Sequence, residues 1–478
     1  MSYRCFGRIL FSFMLLGTSC LSGSAFAETL QLGDRRELFV DKHQIESMNG
    51  VELRMHEPRD GGVALKFDAP WEGSAAAYVT VFKDGDKVKL YYRGWPIVGD
   101  DNKAFIESAC YAESTDGGLT FTRPKLGLVE SNGSKENNIL MAPKAHNFAP
   151  FKDTRPGVPA DEQYKAVMST IEREKRNPSL DAFTSPDGIH WKRLGDQPIL
   201  TKEPYRYGFD SQNLAFWDEN RKRYVCYYRV FVGDIRSIAI ATSDDFRTWS
   251  GPTLIDLGDG AIEQFYTNAT TTYFRAPQYY FAFPKRFMKE RKLIQDKPGI
   301  SDGVFLSSRD GVKFDRTFGE AFIRPGRDQF NWGDRGQMVA WGIVQTAPDE
   351  MSIYYSQNYH FPNHHLRRGV LRLDGIASAH AGGKPGELVT KPFTFTGKQL
   401  TLNYATSAAG SVQIEIQNAD GSTIPGFTLS DAPETYGDKI DAAYAWKNGT
   451  DVASLAGKPV RLRFVLKDAD VYAYRFAD

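Results

Sequence analysis

A short phrase returns four times along this 478-residue chain: a Ser, an Asp two residues on, and an aromatic four or five residues beyond that Asp. It reads Ser114-Thr-Asp-Gly-Gly-Leu-Thr-Phe121, Ser185-Pro-Asp-Gly-Ile-His-Trp191, Ser243-Asp-Asp-Phe-Arg-Thr-Trp249 and Ser308-Arg-Asp-Gly-Val-Lys-Phe314. Each copy follows an apolar run (Ala109-Cys-Tyr-Ala, Leu180-Asp-Ala-Phe, Ile238-Ala-Ile-Ala, Val304-Phe-Leu), and the starts lie 71, 58 and 65 residues apart (185−114, 243−185, 308−243). A strand, a tight Asp-Gly turn and an aromatic that opens the next strand make a β-hairpin. A hairpin recurring at this spacing predicts an all-β fold, a β-propeller whose blades gather residues around one central pocket.

Residues 1–27 read as an export leader. Arg4 and Arg8 precede an apolar stretch from Ile9 to Leu16, and Ala25-Phe-Ala27 has the small-x-small pattern of a cleavage site. The apolar stretch is too short to span a bilayer. No membrane anchor is expected, and the mature protein is expected in the periplasm or outside the cell. The chain carries 59 basic and 59 acidic side chains. That balance, with no Lys/Arg run, gives no electrostatic footprint for nucleic acid. Cys110 and Cys226, each within strand-like residues, are expected as buried free thiols.

Most segments are short, β-rich and closed by Gly, Asp, Asn or Pro. Counting from the four phrases gives five blades, at about 72–121, 147–191, 210–249, 263–314 and 333–373, with residues near 30–65 preceding the first and helping to close the ring. Ala381-Gly-Gly-Lys-Pro-Gly386 is a flexible break. Beyond it, runs such as Ser411-Val-Gln-Ile-Glu-Ile and Val460-Arg-Leu-Arg-Phe-Val-Leu alternate with a period of two. These predict a propeller over 28–380 and a β-sandwich over 387–478.

The innermost strand of a blade lines the axis, so the residues opening each blade are the candidates for chemistry. They are Glu72 beside Trp71, His146 before blade two, Asp210-Ser-Gln-Asn213, Glu263-Gln264 and Trp332-Gly-Asp334-Arg335. A Glu walled by Phe265 and Tyr266 suits a general acid. Separated carboxylates around an aromatic-rimmed pocket suit glycosidic cleavage, in which one carboxyl protonates the leaving oxygen and another activates water or attacks carbon. Glu263, Asp210 and Glu72 are the catalytic candidates. Asn213, Gln264, Arg335, Asp334, His146, Trp71 and Trp332 are the candidates for holding sugar, with Trp95 and Tyr207 as further stacking surfaces. No zinc spacing, phosphate loop or Gly-x-Ser-x-Gly elbow occurs, Pro362 breaks the His360/His364/His365 loop, and no metal or cofactor is expected.

The arrangement resembles the five-bladed propeller glycosidases of glycoside hydrolase families 32, 43, 68 and 117, and the C-terminal sandwich is most similar to family 32. The chain also resembles exported bacterial proteins, often from planctomycete-like genomes, through Leu38-Phe-Val-Asp41-Lys-His-Gln-Ile-Glu46, Phe209-Asp-Ser-Gln-Asn213 and His365-Leu-Arg-Arg-Gly-Val-Leu-Arg-Leu-Asp-Gly375. The resemblance implies a secreted glycoside hydrolase with a carbohydrate substrate, Asp210 as middle-blade carboxylate and Glu263 as acid. The first-blade phrase Trp-Met-Asn-Asp-Pro of family 32 is missing, and Asp68-Ala-Pro-Trp-Glu72 is the nearest substitute. The first repeat also fits the Asp-box of sialidases apart from Phe121. Arg229, Arg286, Arg335 and Arg368 are candidates for the arginine cluster that a sialidase-like hydrolase needs. A non-catalytic glycan-binding propeller is the third alternative.

Overall fold

A computed structural model describes residues 29–96, 107–170, 178–260 and 262–478; the expected leader lies outside them. Five antiparallel sheets form a ring. The first contains Ala77–Asp84, Lys87–Gly94, Ser108–Ser114 and Ile139–Met141. The second runs Ala149–Lys152, Tyr164–Thr170, Ser179–Ser185 and Lys192–Arg193, and the third Leu214–Asp218, Arg223–Val232, Ile235–Ser243 and Thr253–Leu254. The fourth runs Thr271–Tyr273, Ala276–Ala282, Leu306–Ser308 and Phe314–Asp315. In the fifth, Met338–Val339, Glu350–Gln357 and His365–Arg372 are completed on the outside by Arg59–Lys66 from the other end of the chain. That strand closes the ring, because without it His365–Arg372 would be a bare edge.

Second strands carry much of the packing. Tyr91, Tyr92, Tyr224, Tyr227, Tyr228, Tyr279, Tyr280 and Tyr354 are all fully buried between blades. Aromatics are large enough to fill the wedge between two twisted sheets, and each contributes about 1.5–3 kcal/mol by burial.

The recurring phrases are turns between third and fourth strands, and they also staple neighbouring blades. In each, the Ser hydroxyl and the Asp carboxylate accept the amides of the turn. The turn glycine then offers its carbonyl to a tyrosine of the preceding blade. Tyr354 donates to Gly118 at 2.6 Å, Tyr91 to Gly188 at 3.0 Å and Tyr227 to Gly311 at 2.7 Å. Glycine is needed there twice over: φ is +96°, +81° and +67°, and an added Cβ would stand 2.6 Å from the tyrosine oxygen in each case. The third copy has Phe246 instead, at φ +65°, packed on Phe151 and Tyr224.

The domain limits expected at 380 and 387 are redrawn by strand pairing. Leu30–Gly33, Glu37–Leu38, Ile45–Asn49 and Glu52–Met55 join Ala377–Ala381, Gly386–Thr390 and the long strands Gln399–Asn418 and Val460–Ala477 in one ten-stranded sheet. The two ends of the chain therefore build the C-terminal sheet together, wrapped about a core that includes Leu388, Ile414, Leu462, Phe464 and Phe476. The Leu38-Phe-Val-Asp41 segment is the seam with the ring. Leu38 and Val40 pack with Tyr279 and Phe281, while Glu37 and Asp41 accept from Arg309 of the fourth phrase at 3.0 and 2.9 Å. Cys110 and Cys226 are buried and free.

Candidate active site

All five blades contribute side chains to one connected polar cluster, from the residues that open the inner strands and from the second strands beside them. Blade one gives Tyr78 and Arg93, and blade two His146 and Asn147. Blade three gives Asp210, Arg229 and Arg236, blade four Tyr266 and Lys285, and blade five Arg335, Tyr359 and His360. The backbone is strained around this rim. Tyr78, Asn147, Phe209, Ala269 and Arg335, one from each blade, have φ of +56°, +55°, +63°, +43° and +57°. Non-glycine residues at such angles cost about 1–3 kcal/mol each and cluster where geometry serves function.

Asp210 is the centre of the polar network. Its Oδ1 is 3.3 Å from His146 Nε2 and its Oδ2 is 3.3 Å from Arg229 Nη2, yet its side chain keeps 39% of its exposure. Burial works to raise its pKa, but the His146 hydrogen bond and the Arg229 charge outweigh it and hold the carboxyl at about 2. His146 is itself held at Nδ1 by Glu107, at 2.7 Å. Burial alone would lower the pKa of His146; the bonds to Asp210 and Glu107 raise it. Asn147 Nδ2, 2.8 Å from Nε2, would prefer a lone pair there. The two flanking carboxylates favour the imidazolium while the amide opposes it, and the net shift is upward. The Phe209-Asp-Ser-Gln-Asn213 loop is fixed from beneath: Asn213 donates to Ser169 Oγ at 2.8 Å and to the Phe209 carbonyl at 2.8 Å, and accepts from the Arg229 amide at 3.1 Å.

Around Tyr266 the charge is of the other sign. Arg229, Arg236 and Lys285 lie 4.7, 5.1 and 4.7 Å from its ring centroid, and Arg335 Nη1 lies 3.5 Å from its hydroxyl. Burial raises the phenol's pKa, but Arg229 and then Arg335 more than reverse it, and the net shift is downward. Lys285 is completely buried, with its Nζ 3.1 Å from the Arg335 carbonyl; burial first and Arg335 next drive its pKa well down. Arg93 closes the other side. Its guanidinium lies 4.6 Å from both the Tyr78 and Trp95 rings and donates to Tyr359 at 3.2 Å.

No family model and no curated protein matches this chain. Among solved structures, it is similar to a glycoside hydrolase at 15% identity over 66% of this chain and 92% of the other, with a TM-score of 0.45. A β-1,2-mannobiose phosphorylase from Listeria innocua matches at 12% identity, 67% and 97% coverage and TM-score 0.45. A family 43 arabinoxylan arabinofuranohydrolase from Bacillus subtilis matches at 11% identity, 86% and 96% coverage and TM-score 0.39.

The residues expected from the sequence are divided by this geometry. Asp210, His146, Arg335 and Asp334 share the rim, the last as a bidentate partner of Arg335. Arg229 and Trp95 are there too. Glu72 is not: fully buried, it accepts from Tyr92, from Arg123 at 2.7 Å and from the Ala69 amide at 2.9 Å, which makes it the brace of a blade-one loop. Glu263 is paired with Arg286 at 3.1 Å and with Arg316, and Arg286 is shared with Asp302 at 2.7 Å. Both carboxylates are committed to arginines, and neither bonds to Asp210 or to its partners His146 and Arg229 among the described contacts. Asn213 supports the Asp210 loop, and Gln264 holds Arg236 at 2.6 Å, so each acts behind the rim. Trp71 donates to Asn138 within the blade-one core, and Trp332 donates to the Gly326 carbonyl at an outer depression. Of the arginines weighed for a cluster, Arg286 pairs with Glu263 and Arg368 donates to Ser352, leaving Arg229 and Arg335. Sequence reasoning passed over Arg93, Tyr266 as a reacting group, and Lys285. The available signal was a basic residue inside an otherwise apolar aromatic strand, as in Tyr91-Tyr-Arg-Gly94 and Phe281-Ala-Phe-Pro-Lys285.

Proposed function

We propose that the protein is a carbohydrate-active enzyme that cleaves a glycosidic bond at the rim, with Asp210 as the reacting carboxylate. One observation carries this reading. Among the described rim residues, Asp210 combines an exposed face with a hydrogen bond from His146 and the charge of Arg229, which keep it ionised. An ionised carboxylate below a sugar ring stabilises the positive charge that develops at the anomeric carbon, or removes a proton from attacking water. At a pKa of about 2 it does not serve as the resting acid. The leaving oxygen still needs a proton, and Tyr266 is the donor beside Asp210, since Arg229 touches both groups and the phenol's pKa is drawn down. His146 and Glu107 keep Asp210 oriented and anionic. The resemblance to five-bladed propeller glycosidases supports the same class, and the expected leader supports export.

The test is product analysis with the purified protein on a panel of oligosaccharides. Release of new reducing ends or sugar phosphates by the wild type, and its loss in Asp210→Ala with an unchanged circular dichroism spectrum, is the expected result. Cleavage that persists in Asp210→Ala removes this mechanism. Binding without cleavage by the wild type, on the whole panel, makes the propeller a glycan-binding module.

A further inference from the structure

We infer that the rim contains an oxyanion subsite, formed by Arg93, Arg229, Lys285 and Arg335 around Tyr266, which takes an acidic group during the reaction. This deepens the proposed function and rests on it. The first support is charge. Arg93, Arg229, Arg236, Lys285 and Arg335 are met by Glu107, Asp210 and Asp334, so basic groups outnumber their carboxylate partners by two before His146 is counted. Like charges this close, in a place with little water, are costly unless an anion joins them.

The second support is independent of charge counting. Arg229 and Arg93 are almost completely buried, yet the Nε–H of each has no hydrogen-bond partner, and so does that of Arg236. Buried guanidinium donors are ordinarily satisfied; single unmatched ones also occur at Arg155, Arg275, Arg368 and Arg463, and what sets the rim apart is three of them within one cluster that also carries an excess of cations. Arg229 reaches the Tyr266 carbonyl only at 3.5 Å and Asp210 at 3.3 Å, long distances for charged pairs. The site also relieves its own excess. With burial and Arg335 acting together, Lys285 is driven toward the uncharged amine, and Arg229 and Arg335 draw Tyr266 toward phenolate. For Lys285 burial is the larger cause and the Arg335 charge the second, whereas for Tyr266 the two arginines outweigh burial, so the excess of positive charge is felt at both groups.

The group recognised is a planar or tetrahedral oxyanion. It comes either from the sugar, as a carboxylate or sulfate ester, or from free inorganic phosphate. Isothermal titration of the full-length mature protein separates these sources. The probes are glucuronate, glucose 6-sulfate and inorganic phosphate, with glucose as the neutral control. The expected result is that at least one anion binds ten-fold or more tightly than glucose, with affinity falling as NaCl rises from 20 to 300 mM, a range chosen on the order of the salt concentrations that screen such pairs. Arg335→Gln and the milder Arg335→Lys both weaken that binding ten-fold or more and weaken glucose binding by a much smaller factor. Asp210→Asn retains or strengthens it, although turnover is gone, so loss of the subsite and loss of the mechanism are read separately. Turnover of acidic glycans without phosphate assigns the oxyanion to the sugar; turnover that requires phosphate assigns it to the free ion. If none of the three anions binds better than glucose at low salt, the subsite does not exist.

Discussion

Asp116 and Asp210 both have their pKa held at about 2, and they achieve it in opposite ways. Asp116, in the first recurring turn, is bonded within seven residues of chain: it accepts from Ser114 Oγ at 2.6 Å, from Thr120 Oγ1 at 2.6 Å and from the Leu119 and Thr120 amides. Asp210, at the rim, is held by His146 from blade two and Arg229 from blade three, with Arg93 of blade one adding its charge. In both, burial pushes upward and the donors win. The turn is locally complete and therefore inert. The rim is assembled from distant segments, keeps an open face and has cations to spare. A low carboxylate pKa alone does not mark a site; what marks it is where the donors come from and what they leave unsatisfied.

The largest effect that separates the two regions is on turnover. Asp210→Asn keeps shape and removes charge, and is expected to lower kcat/KM by about a thousand-fold or more, as loss of a charge-stabilising group does. Asp116→Asn is expected to leave kcat/KM within two-fold of wild type, roughly the scatter of a distant surface change. Equal losses in the two variants would dissolve the distinction. Next in size is stability at a staple. Gly188→Ala puts a Cβ at φ +81° and 2.6 Å from the Tyr91 oxygen. Left-handed geometry costs about 1–2 kcal/mol and the disturbed Tyr91 bond about 1 kcal/mol more. Urea unfolding is expected to show a loss of about 2–3 kcal/mol with kcat preserved. A stable Gly188→Ala would mean that the turns do not hold blades together.

This difference in origin also explains what could be read from the sequence. The turns are short-range, so four copies were visible and fixed the phase of the blades. Because rim residues open inner strands, the phase led to Asp210, His146, Asp334 and Arg335. It failed at Glu72 and Glu263, which open blades yet turn to Arg123 and to Arg286 and Arg316. Irregular loops have no period from which to read direction, and the arginines that capture these carboxylates lie 51, 23 and 53 residues away in sequence. Arg93, Lys285 and Tyr266 were hidden for a related reason: each reads as strand text, and only the ring closure brings them together. The two-ended C-terminal sheet was missed likewise, since pairing such as Leu30 with Phe393 leaves no local trace.

The pH dependence sharpens the comparison with smaller effects. His146→Gln removes the imidazole hydrogen bond to Asp210, so its carboxyl pKa is expected to climb from about 2 back toward the ordinary value near 3.8. The acid limb of the kcat/KM profile then moves upward by about one pH unit, equivalent to about 1.4 kcal/mol. An acid limb that stays in place would show that Arg229 alone sets Asp210.

The smallest effect belongs to the turn itself. Asp116 has a folded pKa of about 2, below its ordinary 3.8. A group depressed on folding stabilises the fold at pH values above its unfolded pKa, and that contribution fades as pH falls through the folded one. Asp116→Asn is therefore expected to lower stability at neutral pH, by no more than about 1 kcal/mol because the carboxylate is largely solvated. The deficit against wild type should shrink between pH 4 and pH 2, in the window set by those two pKa values. Thermal unfolding of both proteins across that range checks it. Curves that remain parallel down to pH 2 would mean that the turn is held by the Ser114 hydroxyl and the glycine geometry, with the carboxylate charge contributing nothing.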